Sequence, residues 1–299
     1  MSRKAKVLLA LGLYFGITIL LLLIVGSDGK NDEFQPQNEF RLEPWIEITI
    51  AGIDFSITKA VLYLVLASAL TIGTMTYIAR RMQREPNRVQ MAVELAYDLT
   101  RDNITKGNMD DRMARKWFPF IATIFLFIWF NNLIGYIPLP TNTHEKVSFF
   151  GLFDAPSFAI YAATANVSIP LVLALAVFVA YNIEGIRAKG LGGYLKSFIP
   201  GGVEGVAKGP IFVLEFVSNF MRLISLSVRL FANILAGHLI ILFMAGGLAV
   251  ILGLEVLGVL TLPFGIALFI FEVGLVATLQ AFIFATLSAI YLGGAVAEH

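Results

Sequence analysis

The chain has 299 residues, of which 58% are hydrophobic and 14% charged, and its formal net charge is +1. This composition excludes an ordinary soluble domain and predicts a polytopic membrane protein. The absence of cysteine excludes disulfides, iron–sulfur clusters and thiol catalysis. The sequence also lacks the glycine-rich motifs that bind nucleotide phosphates and the HExxH motif of zinc hydrolases. We therefore expect no metal and no cofactor in this chain, and any nucleotide chemistry on another chain.

The first predicted element is an apolar helix over Val7–Gly26, which follows a basic N-terminus. Residues 1–26 are predicted to form either a signal anchor or a cleaved signal peptide. The apolar run is longer than that of a typical signal peptide and has no clear small-residue cleavage site, which favours the anchor. Residues 27–56 hold seven acidic and two basic residues. They are predicted to lie outside the cytoplasm, before a membrane domain over residues 57–299.

Five further apolar stretches are long enough to cross a membrane. They cover Ile57–Ala79, Trp117–Ile137, Tyr161–Ile186, Phe212–Met244 and Pro263–Leu292. The sequence therefore predicts an all-α integral membrane protein with five to six transmembrane helices, the last two forming a long tilted hairpin. Pro170 predicts a kink within its span, and Pro263 predicts the start of the last helix.

Positive charges indicate the orientation of these spans. Residues 80–116 hold nine of the 22 Lys and Arg residues, and cytoplasmic loops are the ones enriched in such residues. This connection is therefore predicted to be cytoplasmic, which also places the C-terminus in the cytoplasm. Within it, Val89–Thr105 is amphipathic and is predicted to lie along the membrane surface.

A polar stripe runs along the predicted span Phe212–Met244. Its members lie within about 40° of one direction on an α-helix and are Glu215, Ser218, Arg222, Ser225, Arg229 and Asn233. An arginine in the centre of the hydrocarbon costs roughly 2.5–3.5 kcal/mol on insertion scales, so an ionisable group there indicates function. The alternative is an arginine that pairs with a carboxylate to hold two helices together, but such a pair needs one acid rather than a polar seam.

The predicted hairpin sets polar side chains of its two helices at matched depths. Counted from a turn within residues 246–262, His238 matches Glu272, and Arg229 matches Gln280. Arg229 keeps its proton at accessible pH and repels other protons. A mobile carboxylate on another subunit would therefore have to carry each proton past it.

Two polar zones flank Arg229 in this arrangement, and each can exchange protons with one side of the membrane. The outer zone consists of His238, Glu272, Asn233 and Gln280. The inner zone consists of Glu215, Ser218, Asn219 and Ser225. The sequence thus predicts two aqueous half-paths separated by a fixed positive charge.

Four stretches of the sequence resemble subunit a of the rotary F-type ATP synthases. They are SLSVRLFANILAGHL (225–239), LQAFIFATLSAIYL (279–292), FNNLIGYIP (130–138) and PNRVQMAVELAYD (86–98). The resemblance implies that Arg229 faces the carboxylates of a c-ring in the cell inner membrane. It further implies that the partners are c-ring subunits, peripheral-stalk b subunits, the rest of the synthase and lipid, with no nucleic acid.

The chain departs from this family pattern at the two titratable positions. His238 stands nine residues after the arginine, where many bacterial members carry an acid, and the acid is on the last helix. The family's polar group on that helix usually lies seven residues before the glutamine, which is Val273 here. Glu272 is one residue earlier, a rotation of about 100° on a regular helix.

Two alternatives belong to other functional classes. A stand-alone ion transporter is disfavoured because the sequence shows no internal repeat and places a fixed arginine in the centre. An intramembrane hydrolase using Glu272 and His238 has too few metal ligands. The sequence therefore favours a stator subunit that conducts protons and is not an enzyme by itself.

Overall fold

The structure is a computed structural model of the chain. It describes residues 3–25, 42, 44–50, 53–54, 56–81, 88–137, 147–149, 153–155, 163–199, 205–244 and 255–297. These residues belong to two compact units. Unit 1 consists of residues 1–43, 138–160 and 235–276, and unit 2 of residues 44–137, 161–234 and 277–299.

The described residues are mostly helical. The α-helices are α1 (Arg3–Val25), α2 (Lys59–Arg81), α3 (Arg88–Asp98), α4 (Asp111–Gly135), α5 (Ser168–Lys196), α6 (Lys208–Leu242), α7 (Glu255–Phe271) and α8 (Ala277–Val296). Two π-helical segments, Leu99–Lys106 and Glu272–Val276, follow α3 and α7, and 3₁₀ turns cover Ala163–Ala165 and Gly205–Ala207.

In the part of the chain that the structure describes, strands form three short antiparallel pairs. They are β1 (Pro44–Ile46) with β4 (Ile57–Thr58), β2 (Thr49–Ile50) with β3 (Ile53–Asp54), and β5 (Val147–Phe149) with β6 (Phe153–Ala155). Among the described residues, five helical stretches are long and apolar enough to cross a membrane: Lys59–Arg80, Asp111–Gly135, Ser168–Lys196, Gly205–Leu242 and Leu260–Val296. The prediction of an all-α membrane protein with five to six spans is confirmed.

The core of unit 2 forms where α4, α6 and α8 pack together. The last of these helices has a row of alanines at every fourth position, Ala277, Ala281, Ala285 and Ala289, all fully buried. Small residues at this spacing let helix backbones approach closely in a membrane. Ile121, Phe125 and Ile128 of α4, and Leu226, Leu230 and Ile234 of α6, fill the same cluster. Residues of α4, α6 and α8 thus share one buried cluster, and α8 packs most closely on α4 and α5.

In unit 1, α1 packs along α7. The Tyr14 hydroxyl donates a hydrogen bond of 2.9 Å to the main-chain oxygen of Leu260. The segment predicted as a signal anchor or signal peptide therefore has a specific helical partner in the same unit.

Both predictions based on proline were wrong. Pro170 lies in the first turn of α5, where its missing N–H would have had no helical partner, so it introduces no kink. The non-helical residue of α5 is Gly190, with φ 70° and ψ 162°, a conformation that glycine adopts readily. Pro263 does not begin the last helix but lies inside α7. Proline is tolerated inside a membrane helix because neighbouring groups can satisfy the backbone carbonyl that it leaves without a hydrogen bond.

The predicted surface helix is present as α3 and the π-helical segment after it. Thr100, Ile104 and Thr105 are buried, whereas Arg101 and Asp102 are exposed. The hydrogen bond that Lys106 donates to Asp102 lowers the pKa of that carboxyl. Gln90 is also buried, however, and Leu95 is exposed at 72%, so the two faces do not separate by polarity as the sequence pattern predicted.

An ion pair joins α4 to α5 in unit 2. The Lys116 ammonium bonds to Oε1 of Glu184, whose side chain is only 8% exposed. The other oxygen, Oε2, has no hydrogen-bond partner in the described part of the chain. Lys116 is therefore the group that compensates this buried carboxylate.

We predict that Lys116→Met lowers the stability of the protein by about 1–3 kcal/mol, because it leaves a buried acceptor unsatisfied. The matched control is Lys106→Met, which breaks an exposed, solvent-screened pair with Asp102 and should change the stability little. Thermal unfolding of the purified protein in detergent measures both. Equal losses in the two variants would contradict the assignment.

Candidate site on the polar face of α6

The polar stripe of α6 lies on the outside of unit 2. Arg222, Ser225, Arg229 and Asn233 are exposed, and Glu215 and Ser218 are partly buried. Large apolar side chains flank the stripe and are also exposed: Phe220 at 44%, Ile224 at 48% and Val228 at 46%. This face would meet lipid or another protein rather than the interior of the chain.

Arg229 is held through its backbone. The side-chain amide of Gln280 on α8 donates a 2.7 Å hydrogen bond to the main-chain oxygen of Arg229, and Gln280 is buried. A carbonyl has two lone pairs, so it can accept this bond as well as its helical one. The prediction that Arg229 and Gln280 lie at the same depth in the hairpin is therefore confirmed. The guanidinium takes part in neither ion pair found between described residues, Lys106–Asp102 or Lys116–Glu184.

Arg222 lies seven residues before Arg229, about two helical turns away, and has a different environment. Its guanidinium lies 5.3 Å from the centre of the Tyr291 ring on α8. A cation over an aromatic face is stabilised by the ring quadrupole. Arg222 is therefore partly satisfied within its own unit, through a partner that the sequence did not indicate.

Asn219 is separated from the other predicted inner residues. It is buried, about 80° around the helix from Arg229. The Tyr181 hydroxyl donates to Asn219 Oδ1 at 2.8 Å, and Asn219 Nδ2 donates to Asn182 Oδ1 at 3.2 Å. Tyr194 donates to the same Asn182 oxygen at 2.8 Å. This network binds α5 to α6, so Asn219 contributes packing on the buried face while Glu215 and Ser218 line the stripe.

A second buried network joins α4 to the start of α8. Thr164 Oγ1 donates to Asn132 Oδ1 at 2.9 Å, and Asn132 Nδ2 donates to the main-chain oxygen of Ala277 at 3.3 Å. Trp129 Nε1 donates to Thr278 Oγ1 at 3.1 Å. Sequence reasoning did not assign these residues a role. The paired asparagines in the apolar run of α4 were the available signal, because buried amides in a membrane helix require partners.

In unit 1, His238 and Glu272 are both buried, at 5% and 9% exposure. The Glu272 carboxyl lies against the backbone of α6 at Gly237, since a Cβ at that glycine would be 2.5 Å from Oε2. Glu272 is also the first residue of the π-helical turn after α7. The acid thus reaches α6 at the residue directly before His238.

A cavity of about 1130 Å³ lies away from this site. Its walls come from the ends of α4, α5 and α8 and include Lys106, Arg112, Lys116, Glu184 and Arg187, but not Arg229. The crevice beside Arg229 and Gln280 is too narrow to hold a water molecule. Among the residues that the structure describes, no three His, Asp or Glu side chains cluster as metal ligands.

Comparison with known proteins identifies a family. A family model described as ATP synthase A chain matches residues 61–293. A protein of Pelagibacter ubique named ATP synthase subunit a is 36% identical over 269 residues, which is 88% of this chain and 98% of that protein. Proteins of the same name from Rhizobium rhizogenes and Rubrobacter xylanophilus are 34% and 36% identical, over 87% and 84% of this chain and 96% and 88% of their own lengths.

We predict that cysteines at 229 and 280 form a disulfide crosslink in membranes, because the Gln280 side chain reaches the backbone of Arg229. The chain has no native cysteine, so no other disulfide can form within it. Cysteines at 229 and 287 are the matched control: residue 287 lies on the same face of α8, about 10 Å further along. Electrophoresis with and without reductant measures both, and stronger crosslinking of 229 to 287 would refute this register.

Proposed function

We propose that this chain, which belongs to the ATP synthase A chain family, separates two proton half-channels with the charge of Arg229. It is a multi-pass membrane protein and the proton-translocating stator subunit of an F-type ATP synthase. It is not an enzyme by itself, because catalysis belongs to other subunits of the complex.

One observation supports this role above all others. Arg229 is exposed on a membrane-crossing helix, with its backbone bonded to Gln280. A guanidinium facing bare hydrocarbon is costly, so an opposite charge must come from another subunit. A carboxylate of the c-ring supplies that charge: it ionises beside Arg229 and regains its proton after moving away. Since Arg229 keeps its own proton, protons reach the other side only on the ring.

The remaining polar residues divide between the two half-channels. His238, Glu272, Asn233 and Gln280 serve the outer path, and Glu215, Ser218 and Ser225 serve the inner path, with Asn219 holding α6 in place behind them. An imidazole next to a carboxylate suits proton entry, because histidine exchanges protons near neutral pH through either ring nitrogen.

The proposed setting is the cell inner membrane, with the C-terminus in the cytoplasm. Residues 1–26 act as an anchor or signal segment, residues 27–56 lie outside, and residues 57–299 form the membrane domain. Peripheral-stalk b subunits hold this chain still while the c-ring turns against the exposed face of α6.

We predict that Arg229→Ala abolishes ATP-driven proton pumping and ATP synthesis but leaves ATP hydrolysis by the detached head intact. Arg229→Lys should also fail, because lysine loses its proton more readily when desolvated and lacks the planar fork. Pumping by inverted membrane vesicles, followed with a pH-sensitive dye, measures the effect.

The matched control is Arg222→Ala, which removes an exposed arginine of the same helix that already has Tyr291 as a partner. It should retain most of the pumping activity. Normal coupling in Arg229→Ala vesicles would rule out the proposed role.

We predict that single substitutions His238→Glu and Glu272→His each slow passive proton conduction through head-stripped membranes without uncoupling the enzyme. The double exchange should recover more conduction than either single variant, because it restores one imidazole and one carboxylate. Strictly additive losses in the double variant would show that the two groups act separately.

A further inference from the structure

The helix that carries Glu272 is not a regular α-helix at that residue. Glu272–Val276 form a π-helical turn between α7 and α8. A π turn closes its hydrogen bonds one residue later than an α turn and therefore holds an additional residue. Such turns are rare and are found frequently at functional sites.

The additional residue changes the direction of Glu272 along its helix. Glu272 precedes Gln280 by eight residues. On a regular α-helix, eight residues separate the two directions by about 80°, whereas seven separate them by only about 20°. With one residue absorbed in the π turn, the effective spacing is seven.

The surface that receives the carboxyl is bare backbone. A Cβ at Gly237 would lie 2.5 Å from Oε2 of Glu272 and 2.9 Å from Oε1, closer than a real side chain allows. The carboxyl therefore occupies the space that any side chain at residue 237 would fill. Val273, by contrast, is only partly buried.

We infer that the π turn and Gly237 together form the seat of the Glu272 carboxyl. The π turn directs the acid toward α6, and the missing side chain of Gly237 lets it reach the helix backbone directly before His238. Gly237 is thus a positioning residue for the outer proton path, and the π turn compensates for the additional residue between Glu272 and Gln280. This inference rests on the proposed role of Glu272 in that path.

Two glycine-to-alanine variants test the seat. Gly237→Ala places a methyl group where the carboxyl lies, and the chain can still fold because the displaced atoms are the free end of a side chain. Gly274 lies in the same turn with no atom within 4 Å of a Cβ built on it, so Gly274→Ala is the matched control. We expect passive proton conduction to fall about tenfold in Gly237→Ala and to stay near wild type in Gly274→Ala. Adding Glu272→Asp to Gly237→Ala should restore part of the loss.

A deletion tests the turn itself. Deletion of Gly274 leaves the acid seven residues before Gln280, so a regular α-helix keeps it on the same face, and conduction should persist. In the full-length chain, Glu272→Val combined with Val273→Glu also places an acid seven residues before Gln280. The π turn is then still present, so this acid is rotated by about 100° from the direction of Glu272. We expect this exchange to conduct as poorly as Glu272→Val alone. The inference would be overturned if the variant with Glu272→Val and Val273→Glu conducted protons while the variant lacking Gly274 did not.

Crosslinking separates the seat from the proposed function. Cysteines at 238 and 272 should crosslink more efficiently than cysteines at 238 and 273, and should still do so after deletion of Gly274. A preference for 273 would overturn the inference whatever the conduction. If the expected pattern is found but Glu272→Gln conducts normally, the seat stands and the proposed role of Glu272 in the proton path fails.

Discussion

The hydrogen bond from the Gln280 amide to the main-chain oxygen of Arg229 is the contact on which the site depends. Because it binds the backbone, it sets the position of Arg229 along α6 and leaves the guanidinium directed outward. Leu226 and Leu230 of α6 and Phe284 of α8 are buried next to this bond. An amide is suited to this place, since it makes a strong bond in the membrane without introducing a second charge that would neutralise the arginine.

The polar side chains of unit 2 fall into two physical classes. Asn132, Asn182 and Asn219 are bonded to buried partners, and Glu184 is paired with Lys116. These groups hold the helices together, since an unsatisfied polar group in hydrocarbon costs several kcal/mol. Arg229 belongs to the second class, because its exposed charge has to be met from outside the chain. That difference explains why such a subunit works only inside a complex.

The Glu272 turn shows how a helix can accommodate a shifted residue. Its π-helical segment begins at the acid, and the acid rests on Gly237 of the neighbouring helix. A π turn holds one residue more than an α turn and so changes the direction of the side chains that precede it. The direction of a side chain on a membrane helix therefore depends on local backbone bonding as well as on residue count.

The sequence by itself determined the number of membrane spans and the polar stripe of α6, because hydropathy and helical periodicity are local properties. Counting residues back from the turn of the hairpin also predicted the register of Arg229 with Gln280. Tertiary structure decided the rest. It showed that Asn219 faces the interior although it neighbours Ser218 in the sequence, and that Pro263 lies within a helix. It also gave the direction of Glu272. Each of these depends on what packs against the helix, since buried partners select among backbone conformations that a single chain segment could adopt equally well.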